Sequence, residues 1–479
     1  MSRRPYGTGG VSRAVLRGTL PMFADRAYML DISRDKVPTM GTLRLIVDLL
    51  AKFEYNQLQL YTEHTFAYST HRDVWEAASP LTAEEIRELD AYCALRGIDL
   101  VPNQNSFGHL ERWLVKPAYN HLAELPKGGA PLPWGGFKKD PTTLCPTDPA
   151  SLAFLDGLYA ELLPNFASGL FNVGCDETFD LLGGGRSAAA VRERGEGRVY
   201  LDFLKQVAAL ARKHGKRPMF WGDVILKHPE LVPELPKDLI ALDWGYEGNH
   251  PFMAEAAKFR AAGLDFYVCP GTSAWNSLAG RVENMRENMV AAERAGRLHG
   301  ARGFLVTDWG DGGHWQPLAA SLPGLVFGGM LAHEGASAAK MDLESALNGI
   351  MGVPLGGTLL RLGTLYLRGG ALRANASELF RILANDRGYS RHPGLTEPIL
   401  AEISAIAEGC RHAASAYAGG AYPNVWAQEI VYMANLVDAA CNRRDERRLR
   451  FLREEHDRIW KLRNRIGGMV DSRAKLPRF

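Results

Sequence analysis

Over much of its length, the chain alternates short β-rich runs with longer amphipathic segments. Leu43, Ile46, Val47, Leu50 and Phe53 keep the i, i+3, i+4, i+7 spacing of one buried helix face. Short runs of β-branched and aromatic residues between such segments predict strands. The eight predicted strands are Tyr28–Ile32, Gln57–Tyr61, Asp99–Pro102, Leu170–Val173, Arg217–Trp221, Leu239–Trp244, Asp265–Cys269 and Gly303–Asp308.

Local signals support the helices between these strands. Thr82 and Glu85 have the spacing of a capping box, and Gly97 ends the same segment just before the third strand. Eight strands, most of them followed by a helix, predict an α/β fold that closes into a (β/α)8 TIM barrel. In such barrels the chemistry lies where the carboxyl ends of the strands meet their loops. Functional side chains are therefore expected directly after each strand.

Beyond about residue 340 the alternation stops and only helical patterns remain. The last of them mixes arginines with acidic residues, which is typical of a solvated helix face. The predicted helices are Glu397–Ala416, Val425–Ala440 and Arg447–Gly467. The predicted organisation is an N-terminal extension (1–20), a catalytic barrel (21–338) and an α-helical C-terminal domain (339–479).

Composition narrows the class of protein. The chain has 479 residues, of which 46% are hydrophobic, so a mainly disordered chain is excluded. A formal charge of +2 argues against a protein built to bind nucleic acid or acidic lipid. No apolar run approaches the ~20 residues of a membrane span, and the basic start lacks a signal-peptide core. The six scattered cysteines read as buried free thiols, and the expectation is a soluble cytoplasmic protein.

The sharpest chemical feature is the end of the fourth predicted strand. The apolar run from Phe171 to Val173 leads directly to two adjacent carboxylates, Asp176 and Glu177. Such a pair can also cap the next helix or pair with an arginine. The other strand ends favour a catalytic role for the two acids.

Tryptophans lie at the carboxyl ends of three other predicted strands. These are Trp221, Trp244 and Trp309, and Asp311 comes two residues after the last of them. Barrel interiors prefer branched aliphatic residues, so large rings at the mouth indicate a ligand. Aromatic walls around acids suit sugar rings, which stack on indole while their hydroxyls bind carboxylates. No HExxH, P-loop or dinucleotide motif is present, so we predict a reaction without metal or cofactor.

Four segments together resemble the catalytic barrel of family 20 glycoside hydrolases, the β-N-acetylhexosaminidases. The likeness extends from about residue 20 to 335. The segments are Arg26–Arg34 (first-strand motif), Asn103–His109 (Pro-Gly-His loop), Val173–Glu177 (Gly-Gly-Asp-Glu signature) and Trp309–Asp311 (closing Trp-x-Glu).

The resemblance implies a role for each candidate residue. Glu177 would be the general acid, Asp176 would orient the substrate's 2-acetamido group, and Tyr267 would donate its hydroxyl to the acetamide oxygen. Arg26 and Asp311 would bind ring hydroxyls. Trp221, Trp244 and Trp309 would enclose the acetamide methyl and the sugar face.

Two further residues remain open. His109 either contacts the acids or the sugar, or only stabilises its loop. Trp275 either lines an outer subsite or packs within a loop.

The sequence also departs from the family pattern. Asn172 replaces a histidine, Tyr267-Val-Cys269 lacks the expected aspartate, and Glu63 with His64 stands where an acidic loop is usual. The small α/β domain that often precedes the barrel is absent. These departures indicate a divergent branch with a changed pattern of hydroxyl recognition.

The predicted function is an exo-acting, retaining β-N-acetylhexosaminidase that releases terminal GlcNAc or GalNAc through an oxazolinium intermediate. The expected partner is an oligosaccharide or glycoconjugate, with no nucleic acid and no membrane, and the C-terminal helices could support a homodimer. One alternative is a barrel that binds carbohydrate without turnover, which Asn172 and Cys269 favour. Another is a glycosidase of a different acetamide-assisted family.

Overall fold

The structure is a computed structural model that describes residues 21–34, 36–384, 390–442 and 445–477. Its centre is a closed barrel of eight parallel strands, in which each strand pairs with its neighbours in chain order and the first pairs with the last. The strands are β1 (Asp25–Asp31), β2 (Gln57–Thr62), β3 (Asp99–Gln104), β4 (Leu170–Asn172), β5 (Arg217–Trp221), β6 (Ile240–Trp244), β7 (Asp265–Cys269) and β8 (Gly303–Asp308).

A helix follows every strand and covers the outside of the barrel. The capping box at Thr82 is present and begins the second of these helices. The helices are α1 (Met40–Lys52), α2 (Ala83–Ala94), α3 (Pro149–Leu162), α4 (Glu196–Lys213), α5 (Asp223–Leu226), α6 (Phe252–Ala261), α7 (Val282–His299) and α8 (Leu318–Glu334). The long β3–α3 connection also carries a short hairpin, Ala130–Pro131 with Phe137–Lys138.

The part of the chain after the barrel is helical. Its α-helices are α9 (Leu343–Met351), α10 (Gly356–Leu362), α11 (Glu378–Ala384), α12 (Glu397–Ala418), α13 (Val425–Cys441), α14 (Glu446–Arg463) and α15 (Met469–Lys475). The predicted (β/α)8 barrel with C-terminal helices is thus confirmed. The predicted extension 1–20 lies outside the described residues, and the domain boundaries stay predictions.

The C-terminal helices hold two loops at the mouth of the barrel. The carbonyl of Arg463 accepts hydrogen bonds from the Thr39 backbone and the Thr42 hydroxyl, in the β1–α1 connection. The carbonyl of Ser472 accepts a hydrogen bond from Trp315 Nε1 in the β8–α8 connection. Because these loops carry functional side chains, the helical region contributes to the shape of the site.

The barrel interior contains polar as well as aliphatic side chains. Gln59 Oε1 accepts hydrogen bonds from Asn172 Nδ2 at 3.0 Å and from Asn103 Nδ2 at 3.3 Å. Buried amides of this kind need such partners. Asn172, one of the departures from the family pattern, therefore belongs to an internal network.

Among the described residues, no individual helix has both the length and the apolar character needed to cross a bilayer. Two helical segments that are sharply bent relative to each other, Leu343–Met351 and Gly356–Gly370, meet those two criteria only when they are counted as one segment.

Candidate active site

The two adjacent acids leave β4 through a backbone that separates their side chains. Cys175 and Glu177 have left-handed backbone angles, with φ of 69° and 47°. Such angles are strained for residues with side chains and often mark functional sites. Asp176 is buried, whereas 28% of the Glu177 side chain is exposed. The strained turn therefore directs two neighbouring carboxylates into different surroundings.

Hydrogen bonds stabilise the charged form of Asp176. Asn105 Nδ2 donates to its Oδ1 at 2.7 Å, and His109 Nε2 lies 3.2 Å from its Oδ2. Burial alone would raise the pKa of Asp176, but the charge and hydrogen bond of His109 and the amide of Asn105 hold it below the usual range. Asp176 is therefore an ionised carboxylate at neutral pH.

Glu177 has the opposite character. Burial raises the pKa of Glu177; His109 opposes that rise, and the negative charges of Asp176 and Asp311 add to it. A carboxyl group with a raised pKa is suited to donate a proton near neutral pH. The pKa values of the two acids are thus shifted in opposite directions. This suits Asp176 to remain ionised and Glu177 to donate a proton.

His109 lies between the two acids. Its Nε2 is 3.2 Å from Asp176 Oδ2 and 3.4 Å from Glu177 Oε2. Burial alone would lower its pKa, but Asp176 above all raises it to about 9, so the ring is protonated at neutral pH. The preceding Gly108 allows this contact, because a Cβ there would lie 2.3 Å from the carbonyl oxygen of Asp176. Of the two roles left open for His109, contact with the acids is the one observed.

Arg34 is a second cationic group of the site and lies beside His109, with its Nη2 3.5 Å from His109 Nδ1. Its guanidinium lies 3.2 Å from Asp31, 3.5 Å from Glu63 and 3.8 Å from Asp311. The same group lies over two aromatic rings, 4.7 Å from the centroid of Tyr61 and 4.9 Å from that of Trp309. This combination of planar cation, carboxylates and rings can bind several sugar hydroxyls.

The predicted role of Arg26 is wrong on the geometry. Arg26 is the second residue of β1, and its side chain donates to the backbone carbonyls of Glu54, Phe23 and Ala24 at the opposite end of the barrel. Arg34, which follows β1 directly, is the arginine at the mouth. The rule that functional residues follow strand ends would have selected it.

Aromatic side chains form the remaining wall. Trp244 stacks on Tyr246 with ring centroids 5.1 Å apart, and Trp275 meets Tyr246 edge-on at 4.9 Å. Trp309 Nε1 donates to the Tyr246 hydroxyl at 2.7 Å. Trp221 is fully buried beneath them, 5.9 Å from Trp309. The four predicted tryptophans are therefore brought together, although Trp221 lies deepest.

The predicted role of Tyr267 also fails. Its hydroxyl donates to Asp25, the first residue of β1, at 2.7 Å, and accepts from Gln57. The Tyr267 side chain therefore points to the far end of the barrel. Tyr246, two residues beyond β6, presents the hydroxyl at the mouth, and its position after Trp244 was the signal for it.

Asp223 is a candidate functional residue that the sequence motifs did not indicate. Its Oδ2 accepts a hydrogen bond from the Glu177 backbone N–H at 3.2 Å, and its Oδ1 lies 3.4 Å from Trp244 Nε1. Burial, with the charges of Asp176 and Glu177, raises the pKa of Asp223 to about 7. Its place directly after β5 was the only signal in the sequence.

Glu63 and His64 lie in different surroundings. Glu63 accepts a hydrogen bond from the Tyr61 hydroxyl at 2.9 Å and faces Arg34, so it belongs to the site. His64 is buried, and burial lowers its pKa to about 3, which keeps the ring neutral. Asp311 faces Arg34 with 34% of its side chain exposed.

Comparison with known proteins agrees with this geometry. Residues 23–319 match the family model described as glycosyl hydrolase family 20, catalytic domain. A beta-hexosaminidase of Akkermansia muciniphila is 28% identical over 44% of this chain and 47% of its own length. Hexosaminidase D of Homo sapiens is 25% identical over 64% of each chain. The chain thus spans less than two thirds of either relative.

Solved structures agree on the fold. A Flavobacterium johnsoniae chitobiase superposes with a TM-score of 0.56 at 17% identity, over 95% of this chain and 78% of that one. A family 20 β-N-acetylglucosaminidase gives a TM-score of 0.52 at 17% identity, over 70% and 76%. Since the family model covers more than half of the chain, this protein belongs to glycosyl hydrolase family 20.

Proposed function

We propose that the protein is an exo-acting, retaining β-N-acetylhexosaminidase that hydrolyses terminal β-linked GlcNAc or GalNAc by substrate-assisted catalysis. The observation that carries the proposal is the electrostatic division between neighbouring acids. The pKa of Asp176 is lowered and that of Glu177 is raised, although the two residues are adjacent in sequence. A carboxylate with a lowered pKa beside a carboxyl group with a raised pKa suits the two functions that the reaction needs.

Adjacency excludes the usual double-displacement arrangement. A retaining glycosidase with a carboxylate nucleophile places its two carboxyl groups about 5 Å apart, on opposite faces of the anomeric carbon. Neighbouring residues on one turn do not straddle a carbon in that way. The nucleophile in this proposal is therefore the substrate's own acetamide oxygen, whose attack is intramolecular and so entropically favoured.

The proposed reaction has two steps. The acetamide oxygen forms a bond to C1 while the bond from C1 to the leaving oxygen breaks, and Glu177 transfers its proton to that oxygen. Asp176 accepts a hydrogen bond from the acetamide N–H and offsets the positive charge of the oxazolinium. Water then attacks C1, Glu177 takes up its proton, and the acetamide is regenerated.

The other site residues bind and shape the sugar. Tyr246 donates its hydroxyl to the acetamide oxygen in this proposal, and Trp309 Nε1, which donates to the hydroxyl oxygen at 2.7 Å, holds that hydroxyl in place. Arg34, Glu63 and Asp311 bind ring hydroxyls on the other side. These assignments replace Tyr267 and Arg26.

Neither feature that suggested a binding protein without turnover touches the acids. Asn172 bonds Gln59 inside the barrel, and the Cys269 thiol donates to the Tyr267 carbonyl. The alternative therefore has no support from the geometry.

The test compares aryl β-N-acetylglucosaminide with the matching aryl β-glucoside. Hydrolysis of the first, with rates on the second lower by about 10³-fold or more, is expected if the acetamide supplies the nucleophile. A thiazoline mimic of the oxazolinium should inhibit, and Glu177→Gln should remove most activity toward poor leaving groups. Equal rates on both aryl substrates would reject acetamide participation.

A further inference from the structure

A second cluster of ionisable side chains lies outside the sugar site, on the outer side of β6. Asp243 precedes Trp244 on that strand, and because side chains alternate it faces away from the barrel interior. His250 lies in the loop that follows, and Glu255 lies in the first turn of α6. One ligand atom of each residue lies within 4.8 Å of the other two, and His250 Nε2 is 2.8 Å from Glu255 Oε2.

The Asp243 carboxylate of this cluster has no hydrogen-bond donor. Asp243 is 0% exposed, and neither of its carboxylate oxygens has a hydrogen-bond partner. His250 Nε2, although close to Glu255, makes no hydrogen bond of acceptable geometry. A buried carboxylate without a donor is costly, so native proteins pair such groups or place them on a metal ion. The unpartnered atoms therefore indicate something that binds between the three side chains.

The backbone is arranged to bring His250 over the strand end. A Cβ at Gly245 would lie 2.1 Å from the imidazole ring, so only glycine permits the observed approach. The ring also meets Phe252 edge-on at 4.4 Å, which fixes its orientation. The histidine is thus held in place from two sides.

We propose that Asp243, His250 and Glu255 bind a divalent transition metal ion, with Zn²⁺ as the best match. Two carboxylates and one imidazole are ligands that zinc accepts at about 2.0–2.2 Å, in tetrahedral sites completed by a fourth ligand. Two negative charges and a neutral imidazole are balanced by one divalent cation. His250 Nε2 and both carboxylate oxygens of Asp243 are shielded from solvent, so an ion held by them would be largely enclosed by protein.

The site has a structural role that extends to the sugar pocket. It ties the end of β6 to the start of α6, and its residue Asp243 is next to Trp244 and three residues before Tyr246. It does not touch the reacting atoms, and the glycosidase chemistry proceeds without it. The competing explanation is a proton shared between Asp243 and Glu255, because burial and the Glu255 charge raise the pKa of Asp243.

The experiment measures metal content on the full chain. The purified protein is treated with EDTA, incubated with Zn²⁺ at neutral pH, passed through a desalting column and analysed by plasma mass spectrometry. We expect about one zinc ion per chain and a melting temperature about 3 °C or more above that of the EDTA-treated protein. His250→Gln and Asp243→Asn should each lose the ion and the thermal shift.

His214→Gln is the matched control. His214 Nε2 lies 2.7 Å from Asp156 and its side chain is 17% exposed, so it is a similar histidine–carboxylate pair outside the cluster. This variant should keep the zinc. Wild-type protein without zinc above the buffer blank would overturn the proposal in favour of the shared proton, and zinc retained equally by His250→Gln would place the ion elsewhere. Because the readout is metal content, it is independent of glycosidase activity.

Discussion

Asp223 accepts a hydrogen bond from the backbone N–H of Glu177 at 3.2 Å, at a residue whose φ of 47° is strained. The Asp223 carboxylate therefore acts on the backbone of the general acid. Without this acceptor, Glu177 could relax to an ordinary backbone conformation and move its carboxyl group. Asp223 is best described as a positioning residue.

Replacing Asp223 by alanine tests this role. Asp223→Ala should lower kcat/KM on an aryl β-N-acetylglucosaminide by about 10- to 100-fold, the value of one hydrogen bond to a charged group. Asp223→Asn keeps an oxygen acceptor and should retain most of the activity. Steady-state kinetics of both variants, with melting temperatures to check folding, measures the effect. If alanine and asparagine were equally active, the hydrogen bond would not position Glu177.

The charge of His109 should control the pH profile. Asp176 must be ionised and Glu177 protonated, so activity is lost as pH falls through the first pKa and as it rises through the second. His109 lowers the pKa of both acids. His109→Gln should therefore move both limbs of the kcat/KM profile to higher pH, by about one unit on the acid side.

The control for this profile is His214→Gln, whose histidine lies at the barrel periphery. Its limbs should coincide with those of the wild type. An acid limb that stays in place in His109→Gln would show that another group sets the pKa of Asp176.

The strand pattern was sufficient to predict the barrel, because each strand contains a short run of buried residues. The predicted first strand begins at Tyr28, whereas β1 begins at Asp25. The first two residues are charged and lie at the far rim of the barrel, where no apolar pattern marks a strand. The role of Arg26 came from the family resemblance, since both the predicted and the observed strand place Arg26 at or before the start of β1, away from the mouth.

The error at Tyr267 has a related cause. Alternation places Tyr267 and Cys269 on the same interior face, with Cys269 at the end of β7 and the tyrosine one layer deeper. The depth of a residue inside a barrel depends on strand stagger, which a single sequence does not display. The Asp223–Glu177 contact was also hidden, since it depends on the left-handed backbone at Glu177.

The arginine reassignment gives a prediction with a built-in control. Arg34→Gln removes the cation that faces Asp31, Glu63 and Asp311, and should lower kcat/KM by about 100-fold or more, mainly through a higher KM. Arg26→Gln should leave kcat and KM unchanged while lowering the melting temperature, because it removes backbone contacts at the far end. The reverse outcome, a KM defect in Arg26→Gln alone, would restore the role predicted from the sequence.

The tyrosine reassignment is tested in the same way. Tyr246→Phe removes the hydroxyl proposed to donate to the acetamide oxygen, and should lower kcat by about 10²-fold, in the range of a lost oxyanion-type donor. Tyr267→Phe removes the hydrogen bonds that its hydroxyl makes with Asp25 and Gln57, so its kcat should match the wild type while its stability falls by about 1 kcal/mol. A normal kcat in Tyr246→Phe together with a loss in Tyr267→Phe would contradict the assignment, because the two hydroxyls lie toward opposite ends of the barrel.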